Sequence, residues 1–253
     1  MRIRCYAMKK FAPLAVLLAA SAAVAAERKH SCPEGPHTLY SKRAVSLDSD
    51  LERLKSPDGR KLLTVRTVQD PKDPDGVYLS FTVSVAGKKF STRLLGFNAE
   101  VLWSQDSKAF AVTQTEGGGG IGYRVYVFYV DQTGLSKVDA SKKVERAFGR
   151  PANCEVPVPP NTGFVDWLAG SDRILVAAEV VPVSICQCSG MFKVYELSLP
   201  DVQILHTYTQ IEAKRKFSDL LGCELQDADD KCAERLQSDS RPTFPLKSRA
   251  KAQ

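Results

Sequence analysis

Histidine is scarce in this chain: three occur in 253 residues, His30, His37 and His206. The commonest general base and metal ligand therefore has few places to act. His30 and His37 stand in a segment broken by Pro33, Gly35 and Pro36, and His206 in an alternating run, so all three are expected to be structural or exposed. No Gly-x-Ser-x-Gly occurs, which excludes the nucleophile elbow of a serine hydrolase. The run Gly117 to Gly120 lacks a following Gly-Lys-Ser/Thr and leads into a strand, whereas a phosphate-binding loop opens a helix. It is expected to be a flexible hairpin loop.

A calcium-binding EF-hand is excluded by a similar shortage. Asp73, Asp75 and Gly76 match the third, fifth and sixth positions of an EF-hand loop, but Pro71 and Thr82 occupy the first and last, where carboxylates are needed. An irregular divalent-ion site at Asp70, Asp73 and Asp75 is the alternative to a proline-stiffened solvent loop, which is the expectation.

The only long apolar run is N-terminal. Arg2, Arg4, Lys9 and Lys10 precede FAPLAVLLAASAAVAA, which ends in Ala23-Val24-Ala25. This predicts a secretory signal peptide over residues 1–26, cut after Ala25 or Ala26. Translation from Met8 would omit Cys5. No cysteine follows the small-residue site, so no lipid anchor is expected, and nothing downstream approaches the roughly 20 apolar residues of a membrane span. A periplasmic or secreted location follows. The formal charge of +6 includes the four leader cations. The mature chain thus carries about +2, no footprint for nucleic acid. The patches Lys214-Arg215-Lys216 and Lys247 to Lys251 are expected to be a solvated helix face and a frayed end.

Six cysteines remain after the leader: Cys32, Cys154, Cys186, Cys188, Cys223 and Cys232. An even number in an exported chain predicts disulfides. A thiolate metal site at Cys186-Gln187-Cys188 with His206 is disfavoured, because exported thiols are oxidised before they meet a metal. No cofactor is expected.

A phrase recurs along the chain. SPDGRKLLTV from Ser56 returns as SQDSKAFAVT from Ser104 and as LAGSDRILVA from Leu168. Each is a turn followed by an apolar strand. Pro57-Asp58-Gly59 suits a tight turn, since proline presets φ, aspartate accepts nearby N–H groups and glycine tolerates positive φ. A short strand precedes each turn, with Leu54, Trp103 and Trp167 expected between sheets. A loop follows each phrase: Asp70 to Gly76, Glu116 to Gly122, and Pro182 to Gly190. Third strands VYLSFTVSV, YRVYVFYV and MFKVYELSL come next, then fourth strands KFSTRLLGF, GLSKVDA and VQILHTY. Each copy is a four-stranded antiparallel meander. Tyr123, Tyr126, Phe128 and Tyr129 are expected to pack on both sheet faces rather than to stack ligands.

SPDGRKLLTV and the stretch WSQDSKAFAV from Trp103 resemble the blade motif of WD40-like propeller repeats in TolB-type periplasmic proteins and in the propellers of prolyl-oligopeptidase-like enzymes. The resemblance spans residues 50–208. It implies an all-β fold of three four-stranded antiparallel meanders in an open, propeller-like arrangement, because closure needs about four to eight blades. Its blade geometry also implies that Cys154 pairs with Cys186 or Cys188 and that the other of these takes Cys32; Cys223 is expected to pair with Cys232 across two short C-terminal helices.

Beyond the β domain, taken as 27–208, a helical segment over 209–237 is expected. Thr209-Gln210-Ile211-Glu212 has the form of a capping box, and a second short helix is expected after Asp227. SKKVERAF from Ser141 suggests a further helical turn. The chain from Ser238 to Gln253 reads as a disordered tail.

The expected function is that of an exported, non-catalytic interaction or scaffold protein. Its partner is expected to be a protein, peptide or envelope glycan, bound through loops on one face. Candidate binding residues are Asp70, Asp73, Asp75, Glu116, Gly117, Gly118, Gly119 and Gly120, since irregular loops on a rigid scaffold are where binding is usually placed. The alternative is a small periplasmic hydrolase or metal-dependent enzyme with an unrecognised site.

Overall fold

The computed structural model describes residues 38–47, 51–70, 73–96, 98–115, 122–149, 158–182, 184 and 186–239. The leader, Cys32, Cys154, Glu116, Gly117 to Gly120 and the tail beyond Asp239 lie outside the described residues.

The elements, in chain order, are β1 (Val45–Ser46), β2 (Leu51–Lys55), β3 (Lys61–Asp70), β4 (Asp73–Val85), β5 (Lys88–Leu95), β6 (Asn98–Trp103), β7 (Ala109–Thr115), β8 (Tyr123–Val130), β9 (Leu135–Asp139), α1 (Ser141–Phe148), β10 (Asn161–Ala169), β11 (Arg173–Glu179), β12 (Phe192–Ser198), β13 (Gln203–Thr209), α2 (Gln210–Phe217), α3 (Cys223–Asp227) and α4 (Asp230–Asp239). They make three antiparallel sheets ordered β2-β3-β4-β5, β1-β6-β7-β8-β9 and β10-β11-β12-β13. The three meanders are present, and the arrangement is open. The second sheet has five strands because β1 adds itself to the free edge of β6, pairing Val45 with Val101. So short a strand carries no periodicity to read.

Alternation explains the stacking. In β7, Phe110 and Val112 face the first sheet and pack with Leu63, Val65, Phe81 and Val83, while Ala109 and Ala111 face the third sheet and pack with Phe164, Trp167, Ile174 and Val176. Both faces of β7 are therefore covered and all seven of its residues are buried. The far face of the third sheet packs Leu175, Ala177 and Val194 against Ala213, Phe217, Leu221 and Leu225 of the C-terminal helical segment. The order of layers is first sheet, second sheet, third sheet, helices. The Thr209–Glu212 capping box forms as its sequence requires.

The repeat is real at the level of individual bonds. In the first turn, the Ser56 hydroxyl donates to Asp58 Oδ1 at 2.6 Å and accepts the Lys61 N–H at 3.0 Å, and Asp58 Oδ1 accepts the Arg60 N–H at 3.0 Å. In the second, Ser104 donates to Asp106 Oδ1 at 2.7 Å and accepts the Ala109 N–H at 3.0 Å, while Asp106 accepts from Lys108 at 3.1 Å. Gly59 and Ser107 hold equivalent left-handed positions, φ 69° and 62°. The tryptophans repeat as well. Trp103 Nε1 donates to the Leu54 carbonyl at 3.4 Å and Trp167 Nε1 to the Leu102 carbonyl at 3.2 Å, each reaching back one sheet. Ser107 accepts the Asp58 N–H and Ser171 donates to Asp106, so the three turns form one hydrogen-bonded row.

Two expectations need correction. The third strand of the first meander starts earlier than Val77: β4 begins at Asp73 and Asp70 pairs with Asp73, while a register irregularity between Gln69 and Asp70 skips residues 74–76. The added pair satisfies backbone groups that a loop leaves to water. The pairing of Cys223 with Cys232 does not occur, nor does Cys188 join Cys154 or Cys32, because Cys188 is bonded to Cys232. Cys186 and Cys223 are also disulfide-bonded. Gln210 and Lys214 hold α4 in reach of Cys188, Lys214 pairing with Asp230 at 2.9 Å. Gln210 Oε1 accepts the Phe192 N–H, and its Nε2 donates to Ala228 O, Asp229 O and Asp230 Oδ1, which docks the start of α4 beside the loop entering β12. Cys223 is drawn elsewhere, its N–H donating to the Thr38 carbonyl. Cys232→Ser should lower unfolding stability by about 2–4 kcal/mol, the usual range for a bridge closing a loop of this order; chemical denaturation checks the size. Non-reducing peptide mapping of the unaltered protein should yield a linked Cys188–Cys232 peptide.

Candidate functional site

Strand direction brings one set of polar residues to one end of the stack. Tyr123 begins β8, Asn161 begins β10, Glu179 ends β11 and Glu100 lies opposite Thr113, near the end of β7. This is the end from which the β3–β4, β7–β8 and β11–β12 connections leave. The row of SPDG-type turns is at the other.

A strap, residues 38–47, crosses this end. Glu100 sits between Ala99 and Val101 in β6 and is buried. Its Oε1 accepts the Leu39 N–H, and both its oxygens receive the Tyr40 N–H, at 3.4 and 3.3 Å. Burial pushes its carboxyl up to about 7, against the opposing pull of these backbone donors and that of Ser41. The Tyr40 hydroxyl donates to Glu179 Oε1 at 2.5 Å, and Asn161 Nδ2 donates to the same oxygen at 3.4 Å. Glu179 is 1% exposed. Burial, with Glu224 nearby, raises its carboxyl to about 8, although the Tyr40 and Asn161 bonds act the other way. Asn161 Oδ1 in turn accepts from the N–H groups of Gly122 and Tyr123. The Tyr123 ring meets Tyr40 edge-on at 5.4 Å, and burial followed by Glu100 raises its phenol to about 12.

The strap is also held to β10 and to the junction between α2 and α3. Arg43 Nη1 reaches both Asp166 oxygens on β10 at 3.1 and 3.0 Å. Ser41 bridges to Leu221, and Gly222 donates to the Tyr40 carbonyl at 2.9 Å. Gly163 on β10 lies under the Tyr40 ring, where an added Cβ would fall 1.9 Å from Cγ. Glycine is required there because the aromatic ring packs directly on the strand backbone.

Beside the strap is an open cleft of about 190 Å³, lined by Leu39, Ser46, Leu47, Asn98, Ala99, Glu100 and Tyr123. Two carboxyls with raised pKa values near a cleft can do acid–base work. Here the Glu100 oxygens face the strap's main-chain donors and Glu179 receives Tyr40, so both act chiefly as clamps.

Of the expected binding residues, Asp70, Asp73 and Asp75 have backbone in the β3–β4 hairpin at this end, and Glu116 with Gly117 to Gly120 lies outside the described residues. The aromatic residues of β8 pack on both faces: Tyr126 and Phe128 toward the first sheet, Tyr129 toward the third. Tyr123 has a second role as a wall of the cleft. His206 stands on β13 beside Tyr208, its ring centroid 4.2 Å away. Sequence reasoning missed Glu100 and Glu179. Their signal is a lone carboxylate inside an apolar run, AEVLW and LVAAEVV, a placement that burial makes costly without partners. Among the described residues no group of three or more His, Cys, Asp and Glu is gathered to hold a metal, and no helix is long and apolar enough to cross a membrane. Compared with family models, curated proteins and solved structures, the chain matches none of them.

Proposed function

We propose that the chain is an exported, non-catalytic interaction module of WD40-like repeats that takes up a protein, peptide or envelope glycan at the loop end of its sheets. The observation that carries this reading is the open cleft beside Glu100, framed by rigid strand ends and by a strap held on both sides. Pre-organised walls of this kind favour binding, since little ordering accompanies capture. The bond-for-bond repeat of the Ser56 and Ser104 turns supports the repeat assignment, and the Cys188–Cys232 bridge is consistent with an oxidising compartment.

A second reading, a small hydrolase, draws on the raised carboxyls Glu100 and Glu179. It is weaker because neither offers an oxygen that is both unengaged and open to the cleft. A photo-crosslinking residue placed at Asn98, on the rim of the cleft, should trap an envelope partner in intact cells, whereas the same residue at Arg60, on the turn end, should not. Equal trapping at both positions would refute the assignment. Turnover of ester, peptide or glycoside substrates that disappears in Glu100→Gln would favour the hydrolase.

A further inference from the structure

Among the described residues, one end of the stack is uncovered. Helices cover the third sheet, but no described element packs on the outer face of the first. Alternation sorts its strands cleanly. Leu63, Val65, Leu79, Phe81, Val83 and Leu94 point inward to the core. The intervening residues point outward.

The outward set is unusual in its charge. Arg53 and Lys55 on β2, Arg66 on β3, and Lys89 and Arg93 on β5 are all exposed. Among the described side chains of this face there is no carboxylate, since Glu52 has the inward parity of Leu54. None of the five cations is in an ion pair among the described residues. The two other lysines of these strands turn the opposite way: Lys61 donates to the Ser107 carbonyl and Lys88 to the Gln132 carbonyl, both on the second sheet.

Register places the charges around a hydroxyl-rich centre. One row reads Leu51, Arg66, Ser80, Arg93 and the next Arg53, Thr64, Thr82, Ser91. The third reads Lys55, Leu62, Ser84, Lys89. Arg66 and Arg93 flank Ser80 two strands apart, about 10 Å. Thr82 and Ser91 share a hydrogen bond of 2.8 Å. The exposed apolar residues Leu51 and Leu95 lie at the corners rather than the centre.

We propose that this face is a second binding surface, separate from the cleft, and that its occupant is an anionic polysaccharide of the cell envelope. Five cations with no ion-pair partner among the described residues select a polyanion by charge. The central hydroxyls of Thr64, Ser80, Thr82, Ser84 and Ser91 exchange hydrogen bonds with sugar hydroxyls. A protein partner would be expected to find an exposed aromatic or aliphatic anchor at the centre, where the only apolar residue among the described ones is the half-buried Leu62. Single-stranded nucleic acid would be expected to find a row of aromatic platforms, and the face has Tyr78 alone, near its margin.

The test uses the full mature protein, titrated with heparin and polygalacturonate as sulfated and carboxylated probes. Dextran, duplex DNA and poly-glutamate serve as comparisons. Both anionic polysaccharides should bind, more weakly as salt rises, and dextran should not. Arg66→Glu with Arg93→Glu should weaken binding about tenfold or more through loss of counterion release, whereas Lys143→Glu with Lys231→Glu, an equal charge change elsewhere, should leave it within about twofold. If the first pair fails to fold, Arg66→Gln with Arg93→Gln is to show the same direction with an unchanged melting temperature. No polysaccharide binding, equal weakening by both pairs, or tighter binding of DNA or poly-glutamate would each overturn the proposal. Crosslinking from Asn98 is expected to be unaffected, so failure here is distinguishable from failure at the cleft.

Discussion

Gly163→Ala should unseat the N-terminal strap and lower stability by about 3–5 kcal/mol, the range for emptying a buried aromatic site. The added methyl would lie 1.9 Å from Cγ and 2.0 Å from Cδ1 of Tyr40. Strand β10 is fixed by pairing with β11, so the tyrosine is what must move. Its departure removes the backbone donors from Glu100 and the hydroxyl from Glu179, leaving Glu179 with the longer Asn161 bond. The loss is comparable with much of a domain's net stability. Urea denaturation measures it, and trypsin should cleave at Lys42 and Arg43 in the variant while sparing the parent. Tyr40→Ala added to Gly163→Ala should cost little more, since both changes remove the same contact. A Gly163→Ala protein with parental stability and an uncut strap would contradict the packing described here.

Stability should fall as pH rises from about 5 to 9, and Glu179→Gln should flatten that fall. The carboxyls of Glu100 and Glu179 titrate near 7 and 8 in the folded chain, against 4.5 for an ordinary glutamate. Between those values the folded state holds protons that the unfolded state has released. Their contribution is therefore complete below about 4.5 and is lost as pH climbs through 7 and 8, at up to about 1.4 kcal/mol per pH unit for each group. Glutamine cannot ionise, so Glu179→Gln should match the parent near pH 5 and exceed it near pH 9. Denaturation midpoints at pH 5, 7 and 9 check both statements. A parent whose stability rises from pH 5 to 8 would show that the two carboxyls are ionised at no cost inside the fold.

Much of the architecture was legible because its signals are local. A Ser-x-Asp turn followed by an alternating run specifies a hairpin wherever it occurs, and Thr209 with Glu212 caps a helix through bonds spanning one turn. Trp103 and Trp167 could be placed between sheets for the same reason. What was missed or misread depends on distance. The β1–β6 pair joins residues 45–46 to 100–101, and the Cys188–Cys232 bridge depends on how Gln210 docks α4. Neither leaves a trace in neighbouring residues.

The candidate sites divide in the same way. Asp70, Asp73 and Asp75 attract notice because they are close in sequence, whereas Glu100, Tyr40, Glu179 and Tyr123 come together from four segments. The basic face is the clearest case. A mature charge of about +2 is unremarkable, because counting residues along the chain adds Glu52 to Arg53 and Lys55 as though they shared a side. Pleating separates them. The sequence by itself determined three meanders, their turns and the capped helix that follows, since each rests on backbone geometry and side chains a few residues apart. Only the tertiary structure decided which edges are closed, which cysteines meet, which carboxyls are buried and which face keeps its cations, because these follow from the order in which the sheets stack.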